Sequence, residues 1–143
     1  MTYSALGIAK YIISYCTRQK KPISNLKLQQ LLYYAWIDYY KETNKELFPD
    51  RIFAWQAGPV IPEIYYEFCS YAGKPITKEY SVKLDNTDKP IIDSIIEKYL
   101  SITASVLVSR SHEEGRPWDL VYKNGYGSRN EIPFHLIKIK ECI

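Results

Sequence analysis

The sequence predicts a mostly helical (α+β) domain, a compact bundle of about five to six helices with a small two-stranded antiparallel sheet. Apolar residues recur at helical spacing in several segments, and polar or proline-containing turns separate these segments. Only two short stretches have the composition or the alternation typical of strands. The length of 143 residues and the apolar content of 46% suit a single domain covering residues 1–143.

The first two helices are predicted from their caps and their periodicity. Ser4 can cap a first helix that ends in a cluster of cations, and Pro22 then prevents its continuation. Ser24 or Asn25 opens a second helix, which runs to about Glu42 and is apolar over a wide sector. We therefore expect this second helix to lie at the centre of the bundle, with neighbours on several sides.

Two strands and a third helix are predicted in the middle of the chain. Arg51 to Gln56 is short, β-branched and aromatic, which favours a strand. Gly58 and Pro59 interrupt an uncharged run, so they predict a rigid corner between that strand and a helix from Pro62 to Tyr71. Ile76 to Leu84 alternates in polarity and is predicted to be the second strand of the sheet.

The last third of the chain is predicted to be helical. Pro90 begins a helix that runs to about Leu100, and a further helix covers roughly Thr103 to Glu113. Trp118 to Tyr122 is predicted as one short helical turn, and Pro133 begins a last helix. No internal repeat appears and no linker is long enough to divide the chain, so we expect one domain.

The composition argues against several classes of function. The net charge of +3 falls short of the basic stripe that a dedicated nucleic-acid binder needs. The three cysteines are widely spaced, and the longest uncharged runs, eleven residues each, are too short to cross a bilayer. No signal peptide is apparent, so we expect a cytoplasmic protein without membrane contact.

No constellation in the sequence matches a catalytic, cofactor-binding or metal-binding template. The two histidines, His112 and His135, are unpaired in sequence, and neither a thiolate cluster nor a glycine-rich phosphate loop occurs. We expect a surface His135 and a structural His112, hydrogen-bonded between helices near Trp118. Partner contact, or general-base catalysis with Glu113 or Glu114, are the alternatives for His112. The prediction is a non-enzymatic protein with no cofactor and no metal.

A cluster of cations around the end of the first helix offers an alternative function. Its members are Arg18, Lys20, Lys21 and Lys27, and no acidic residue lies among them. A solvated helix end explains the cluster, but an acidic partner or phosphates could also bind there, with Tyr33 and Tyr34 nearby to stack on bases. A small nucleic-acid-binding regulator is therefore the alternative hypothesis, although the weak net charge argues against nucleic acid.

Three stretches, taken in order, resemble the SocA-like antitoxin family, also called Panacea. The first is Leu-Gln-Gln-Leu-Leu-Tyr-Tyr-Ala at 28–35, where the third residue is glutamine and the family commonly has lysine. The second is Ala-Trp-Gln-Ala-Gly-Pro-Val-Ile-Pro at 54–62, followed by Tyr65, and it is the most specific. The third combines Ser-His at 111–112 with Pro-Trp at 117–118.

The resemblance implies a small, mostly helical antitoxin of the kind often encoded in prophages and mobile elements. Such a protein neutralises a cognate toxin by binding it directly or, in the SocA-type variation, delivers the bound toxin to a cellular protease. Neither route needs a cofactor or an active site, and Tyr and Trp commonly anchor protein interfaces. The candidate partner-binding residues are Gln30, Tyr33, Tyr34, Trp55, Tyr65, His112 and Trp118. The residues expected to form a structural motif, which sets the angle of the third helix, are Gly58, Pro59, Val60 and Pro62.

Overall fold

The computed structural model describes residues 2–143, which contain seven α-helices and three short strands. The helices are α1 (Ala5–Arg18), α2 (Asn25–Thr43), α3 (Pro62–Glu67), α4 (Lys89–Leu100), α5 (Ala104–Ser111), α6 (Pro117–Tyr122) and α7 (Phe134–Glu141). The third helix is shorter than predicted, because a 3₁₀ turn at Cys69–Tyr71 replaces its last residues. The mostly helical (α+β) class is confirmed, with three strands in the sheet instead of two.

Helices α1 and α2 begin where their capping residues predict. The Ser4 hydroxyl accepts a hydrogen bond from the Gly7 amide, and the Ser24 hydroxyl accepts one from the Lys27 amide. Helix α2 ends at Thr43, and the capping residue Asn44 that follows has a φ of 62°, the left-handed conformation common after helix ends. Helix α2 packs against α1, α3, α4, α5 and α7, which confirms its central position.

The three strands form an antiparallel sheet in the order β2-β1-β3. They are β1 (Ile52–Trp55), β2 (Gly58–Val60) and β3 (Glu131–Ile132), and a two-residue turn joins β1 to β2 with Trp55 opposite Gly58. The expected corner at Gly58 and Pro59 is therefore corrected: with Val60 they form the second strand of a hairpin, and α3 begins at Pro62. Pro59 is tolerated because β2 is an outer strand and the register directs its backbone nitrogen away from β1.

The segment from Ile76 to Leu84 is not a strand, contrary to the prediction. Ile76 forms an isolated bridge with Ile23, and the chain beyond it is extended without a partner strand. Helix α1 binds this backbone instead, since the Ser14 hydroxyl accepts a hydrogen bond from the Tyr80 amide at 2.6 Å. An extended segment that lies on a helix also buries alternate side chains, so its pattern is the same as that of a strand.

Hydrogen bonds between tyrosine hydroxyls and carboxylates attach α4 to α1 and α2. Asp88, which precedes α4, accepts hydrogen bonds from Tyr3 at 2.7 Å and from Tyr39 at 2.8 Å. Burial, together with the bond to Asp88, raises the pKa of both hydroxyls to about 12, so they remain protonated donors at neutral pH. Three more such pairs join α4 to α1 or α2: Tyr11 with Asp93, Tyr15 with Glu97, and Tyr99 with Asp38. A further pair, Tyr33 with Glu141, joins α2 to α7. These pairs account for part of the excess of 14 Tyr over 4 Phe.

Candidate protein-binding surface

Three aromatic side chains form a cluster on the surface beside the β1–β2 hairpin. Trp55 lies at the end of β1, and Tyr65 and Tyr66 follow in α3. The ring centres are 5.2 Å apart for Trp55 and Tyr65, 5.9 Å for Trp55 and Tyr66, and 5.7 Å for the two tyrosines. Tyr65 is 37% exposed and Tyr66 is 57% exposed, while Trp55 is half-buried. We call these three residues the aromatic cluster.

Arg129 adds a positive charge to the aromatic cluster. Its guanidinium carbon lies 4.3 Å from the centre of the Trp55 ring, a cation–π contact. The Arg129 backbone N–H donates to the Ala54 carbonyl at 2.7 Å, which attaches the loop before β3 to β1. The Arg129 side chain makes no ion pair or hydrogen bond with any residue of the described chain, 2–143.

A groove of about 640 Å³ separates the aromatic cluster from the start of α2. Leu26, which is 39% exposed, and Val60 contribute apolar side chains to it, and the buried residues Asn25 and Gln29 contribute polar ones. Among the described residues that line it, Arg129 is the only charged one. This depression is therefore apolar and aromatic, with one cation at its edge. We refer to it as the groove.

A chain of buried hydrogen bonds supports the aromatic cluster from below. The Asn25 side-chain amide donates to the Tyr65 backbone carbonyl at 3.0 Å, and the Gln29 amide donates to the Asn25 side-chain oxygen at 3.1 Å. The Gln29 side-chain oxygen accepts from the Ile61 backbone amide at 3.0 Å. Two residues of α2 thereby hold the first turn of α3 in place, and Tyr65 with it.

Gly58 allows the hairpin to approach α2 and α5 closely. Its φ is +125°, a region that favours glycine, and a Cβ added there would lie 3.0 Å from Gln30 Nε2 and 3.3 Å from Ser111 Oγ. Gln30 has no exposed surface, and neither polar atom of its amide has a hydrogen-bond partner within residues 2–143. Gly58 therefore lies against one polar residue from each of two helices.

Trp118, a residue of α6, connects this helix to the β1–β2 hairpin and to His112 at the end of α5. Its indole N–H donates to the Trp55 carbonyl at 2.7 Å. Its ring stacks on His112, with ring centres 3.6 Å apart, and on Tyr122, with ring centres 4.4 Å apart. Because Trp118 is only 7% exposed, it supports the backbone of the aromatic cluster and is not part of the open surface.

The contacts of His112 differ from those expected. The structure places it near Trp118, as predicted, but through ring stacking and not through a hydrogen bond between helices. Its Nε2 is buried and finds no hydrogen-bond partner in the described part of the chain. Burial lowers the pKa of His112, with a smaller opposing effect from Asp119, so the neutral imidazole is favoured.

The lowered pKa of His112 predicts a loss of stability on acidification. The unfolded chain has the higher pKa, close to the ordinary value of about 6.5, so it takes up the proton first as the pH falls. The stabilising contribution of the neutral ring is complete above that pH and is lost below it. We expect His112→Phe, which can keep the stacking but cannot titrate, to lose less free energy of unfolding than the wild type between about pH 7.5 and about pH 5.5. Urea unfolding at both pH values measures this, and equal losses would contradict it.

The structure separates the sequence-predicted partner-binding residues into three groups. Trp55 and Tyr65 lie together at the surface, in the aromatic cluster. Gln30 and Tyr33 are fully buried and Trp118 nearly so, so none of these three residues lies on the open surface. The half-buried residues His112 and Tyr34 stack on Trp118 and on Tyr99 respectively.

Sequence analysis did not identify Tyr66, Leu26 or Arg129. Tyr66 could have been found, because it lies on the side of α3 away from the apolar positions Ile64 and Phe68. Leu26 follows the helix cap and gives no local signal. Arg129 is brought to Trp55 by a backbone contact between distant parts of the chain, and no local pattern indicates such a contact.

Of the four cations predicted to cluster near the end of α1, only three are exposed in the structure. The Lys27 ammonium group donates to the Leu100 carbonyl at 2.7 Å, at the last residue of α4. Burial lowers the pKa of Lys27. Arg18, Lys20 and Lys21 remain exposed. Three cations on a helix end and the following turn are consistent with a solvated surface.

The aromatic cluster and the groove offer a partner hydrogen bonds and aromatic contacts. Two other kinds of site, a metal site and a membrane-spanning helix, have no support in the described residues. Within residues 2–143, no group of three or more His, Cys, Asp or Glu side chains is arranged to hold a metal ion. Over the same range, every helix is too short or too polar to cross a membrane.

Comparison with known proteins relates this surface to a family. The Antitoxin SocA-like, Panacea domain family matches residues 28–119, a range that contains the hairpin and the aromatic cluster and ends just after Trp118. Antitoxin SocA of Caulobacter vibrioides is 31% identical to this chain, in a match that covers 87% of this chain and 72% of that protein. No solved structure matches the chain. With its family motif forming the hairpin and the surface around it, this chain belongs to the SocA-like, Panacea antitoxin family.

Proposed function

We propose that this protein is an antitoxin that neutralises a cognate toxin by binding it directly, with the aromatic cluster and the groove at the centre of the interface. Membership of the SocA-like, Panacea family and the similarity to an antitoxin support the general role. The observation that carries the proposal is the exposure of Trp55, Tyr65 and Tyr66 side by side, within the residues that the family matches.

The aromatic cluster has the composition of an interface centre. Tyr, Trp and Arg are the residue types most enriched among the side chains that dominate binding energy, and they act best at the centre of a contact from which water is excluded. A standard interface covers about 800 Å² on each partner, about a tenth of the 7683 Å² that this chain exposes. The aromatic cluster and groove are of a size to form the middle of such a contact.

The support beneath the aromatic cluster reduces the entropy that binding would cost. The Asn25–Gln29 hydrogen bonds hold α3, and Trp118 holds the carbonyl at the end of β1. A backbone that is already held in position loses little conformational freedom when a partner binds. The same reasoning gives the buried partner-binding candidates a role in positioning the exposed ones.

Two routes of neutralisation start from the same complex, and we place both in the cytoplasm. Occlusion of the toxin requires nothing beyond the complex, whereas delivery to a cellular protease also requires transfer of the bound toxin. We propose occlusion as the main route. Neutralisation should therefore persist in hosts that lack individual ATP-dependent proteases, and its loss in one such host would favour delivery.

Co-expression with the products of neighbouring genes tests the proposal, and Tyr66→Ala tests the surface. We expect one neighbouring product to stop growth on its own and to be harmless when the wild-type protein is present. Tyr66→Ala should weaken the affinity for that toxin about tenfold or more, since truncation of an interface anchor typically removes at least 1–2 kcal/mol. Growth assays and calorimetric titration of the purified pair give the two measurements.

Tyr126→Ala is the matched control for Tyr66→Ala. Tyr126 is also a tyrosine, is 95% exposed and does not line the groove, so its loss should leave the affinity unchanged. Both variants should keep the wild-type free energy of unfolding within about 0.5 kcal/mol, as exposed substitutions do. A toxin that kills equally with and without the wild-type protein would contradict the proposed function, and equal affinities of the two variants would contradict the proposed surface.

A further inference from the structure

We propose that the groove binds an acidic segment of the toxin, with a carboxylate held by Arg129 and an adjacent apolar side chain lying on Trp55 and Tyr66. This inference rests on the proposed function and adds the chemistry of the segment that the surface recognises. The partner group is defined as the side chain of an Asp or a Glu that is followed or preceded by an apolar or aromatic residue.

The first argument is the state of the Arg129 side chain. The guanidinium carbon lies 4.3 Å from the centre of the Trp55 ring, a contact that places the charged group at the edge of the groove. None of its N–H donors is used by a carboxylate or carbonyl within residues 2–143. A guanidinium held in this way matches a carboxylate, which can accept two parallel hydrogen bonds from it.

The second argument is the charge of the groove as a whole. No acidic residue lines it among those that the structure describes, so the positive charge of Arg129 is not neutralised there. Glu63 and Glu67, which share α3 with the two tyrosines, lie outside its lining. When a partner covers the groove and excludes water, an incoming carboxylate is attracted and an incoming cation is repelled more strongly than at an open surface.

The third argument is the apolar surface next to the cation. Leu26, Val60 and the rings of the aromatic cluster surround the space beside Arg129. A single-stranded nucleic acid could also combine stacking with a cation, but such binding sites track the backbone with a row of cations. The groove lining supplies one, so a protein segment with one carboxylate fits better than a polyanion.

Charge reversal tests the inference, with the neutralised toxin as the probe. Arg129→Glu should weaken the affinity of the complex about thirtyfold or more, because it removes one partner of a desolvated charge pair and adds repulsion. Arg129→Lys, which keeps the charge but not the planar fork, should lose less. In a scan that replaces each Asp and Glu of the toxin with Lys, at least one change should restore binding to Arg129→Glu while weakening binding to the wild type.

Arg18→Glu is the matched control, since Arg18 is also an exposed arginine and lies on α1 away from the groove. It should leave the affinity unchanged, and thermal unfolding should show that both variants are folded. Wild-type affinity for Arg129→Glu, or failure of every toxin substitution to restore binding, would overturn the inference while the proposed function stands. If Arg129→Glu instead loses binding to an oligonucleotide and keeps its affinity for the toxin, the inference of an acidic toxin segment is overturned, and nucleic acid is the ligand of the groove. If the wild-type protein neutralises no toxin, both proposals fail.

Discussion

Replacing Trp118 with alanine should lower the free energy of unfolding by about 3–5 kcal/mol, the usual effect of truncating a buried aromatic residue. The side chain is 7% exposed, so its removal leaves a cavity between α5, α6 and the hairpin. The stacking on His112 and Tyr122 and the hydrogen bond to the Trp55 carbonyl are lost together. Domains have only about 5–15 kcal/mol of stability in total, so this variant should be close to unfolding at physiological temperature. Urea or thermal unfolding gives the difference directly.

Two further variants separate the contribution of the Trp118 N–H donor to stability from that of its buried ring. Trp118→Phe keeps a stacked ring but removes the N–H donor and leaves the Trp55 carbonyl without it, so it should cost about 1–3 kcal/mol, less than Trp118→Ala. Leu120→Ala, on the same helix but 38% exposed, should stay within about 0.5 kcal/mol of the wild type. If Trp118→Ala were no less stable than Leu120→Ala, the account of Trp118 as the support of the hairpin would be wrong.

Gly58→Ala should produce the next largest loss of stability. The backbone φ of +125° is strained for any residue with a Cβ, at about 1–3 kcal/mol. The added methyl group would also lie 3.0 Å from Gln30 Nε2, and the buried Gln30 has little room to move, which adds about 1–3 kcal/mol of overpacking. Denaturant unfolding measures the sum, and weakened toxin binding should follow because β2 leads directly into α3.

Gly73→Ala is the control for Gly58→Ala. No atom lies within 4 Å of the position that a Cβ would take at Gly73, and the φ of Gly73 is not in the left-handed region. This variant should be neutral or slightly more stable, since alanine restricts the unfolded chain. A Gly58→Ala protein as stable as Gly73→Ala would show that the hairpin can move away from α2 and α5.

Local signals were sufficient to predict the helices. The hydroxyls of Ser4 and Ser24 cap α1 and α2 as expected, and the prolines at 90 and 117 fall in the first turns of α4 and α6. These features act over a few residues, so the sequence displays them directly.

The sheet was harder to predict because strands depend on their neighbours. Pro59 indicated an interruption, yet an outer strand accepts proline at a position where no ladder bond is needed. The alternation from Ile76 to Leu84 indicated a strand, yet the partner of this segment is α1. Both predictions were wrong because the tertiary partner of each segment is not visible in its local pattern.

The candidate surface was predicted only in part. Trp55 and Tyr65 were named because they stand in or next to the most specific motif, and the structure places them in contact. Arg129 lies beyond the residues that the family matches, and it reaches Trp55 only through the folded loop before β3. A contact of this kind follows from topology, which the sequence alone does not specify.

The tyrosine–carboxylate pairs also limit how this sequence can change in the course of evolution. Loss of the Tyr39 hydroxyl, for example, would leave Asp88 with an unmet acceptor in a partly buried place, so the two positions are coupled. The hydroxyls of Tyr65 and Tyr66 have no such carboxylate partner within residues 2–143. A substitution at one member of such a pair therefore also affects the other, whereas a substitution at Tyr65 or Tyr66 leaves no carboxylate without its donor.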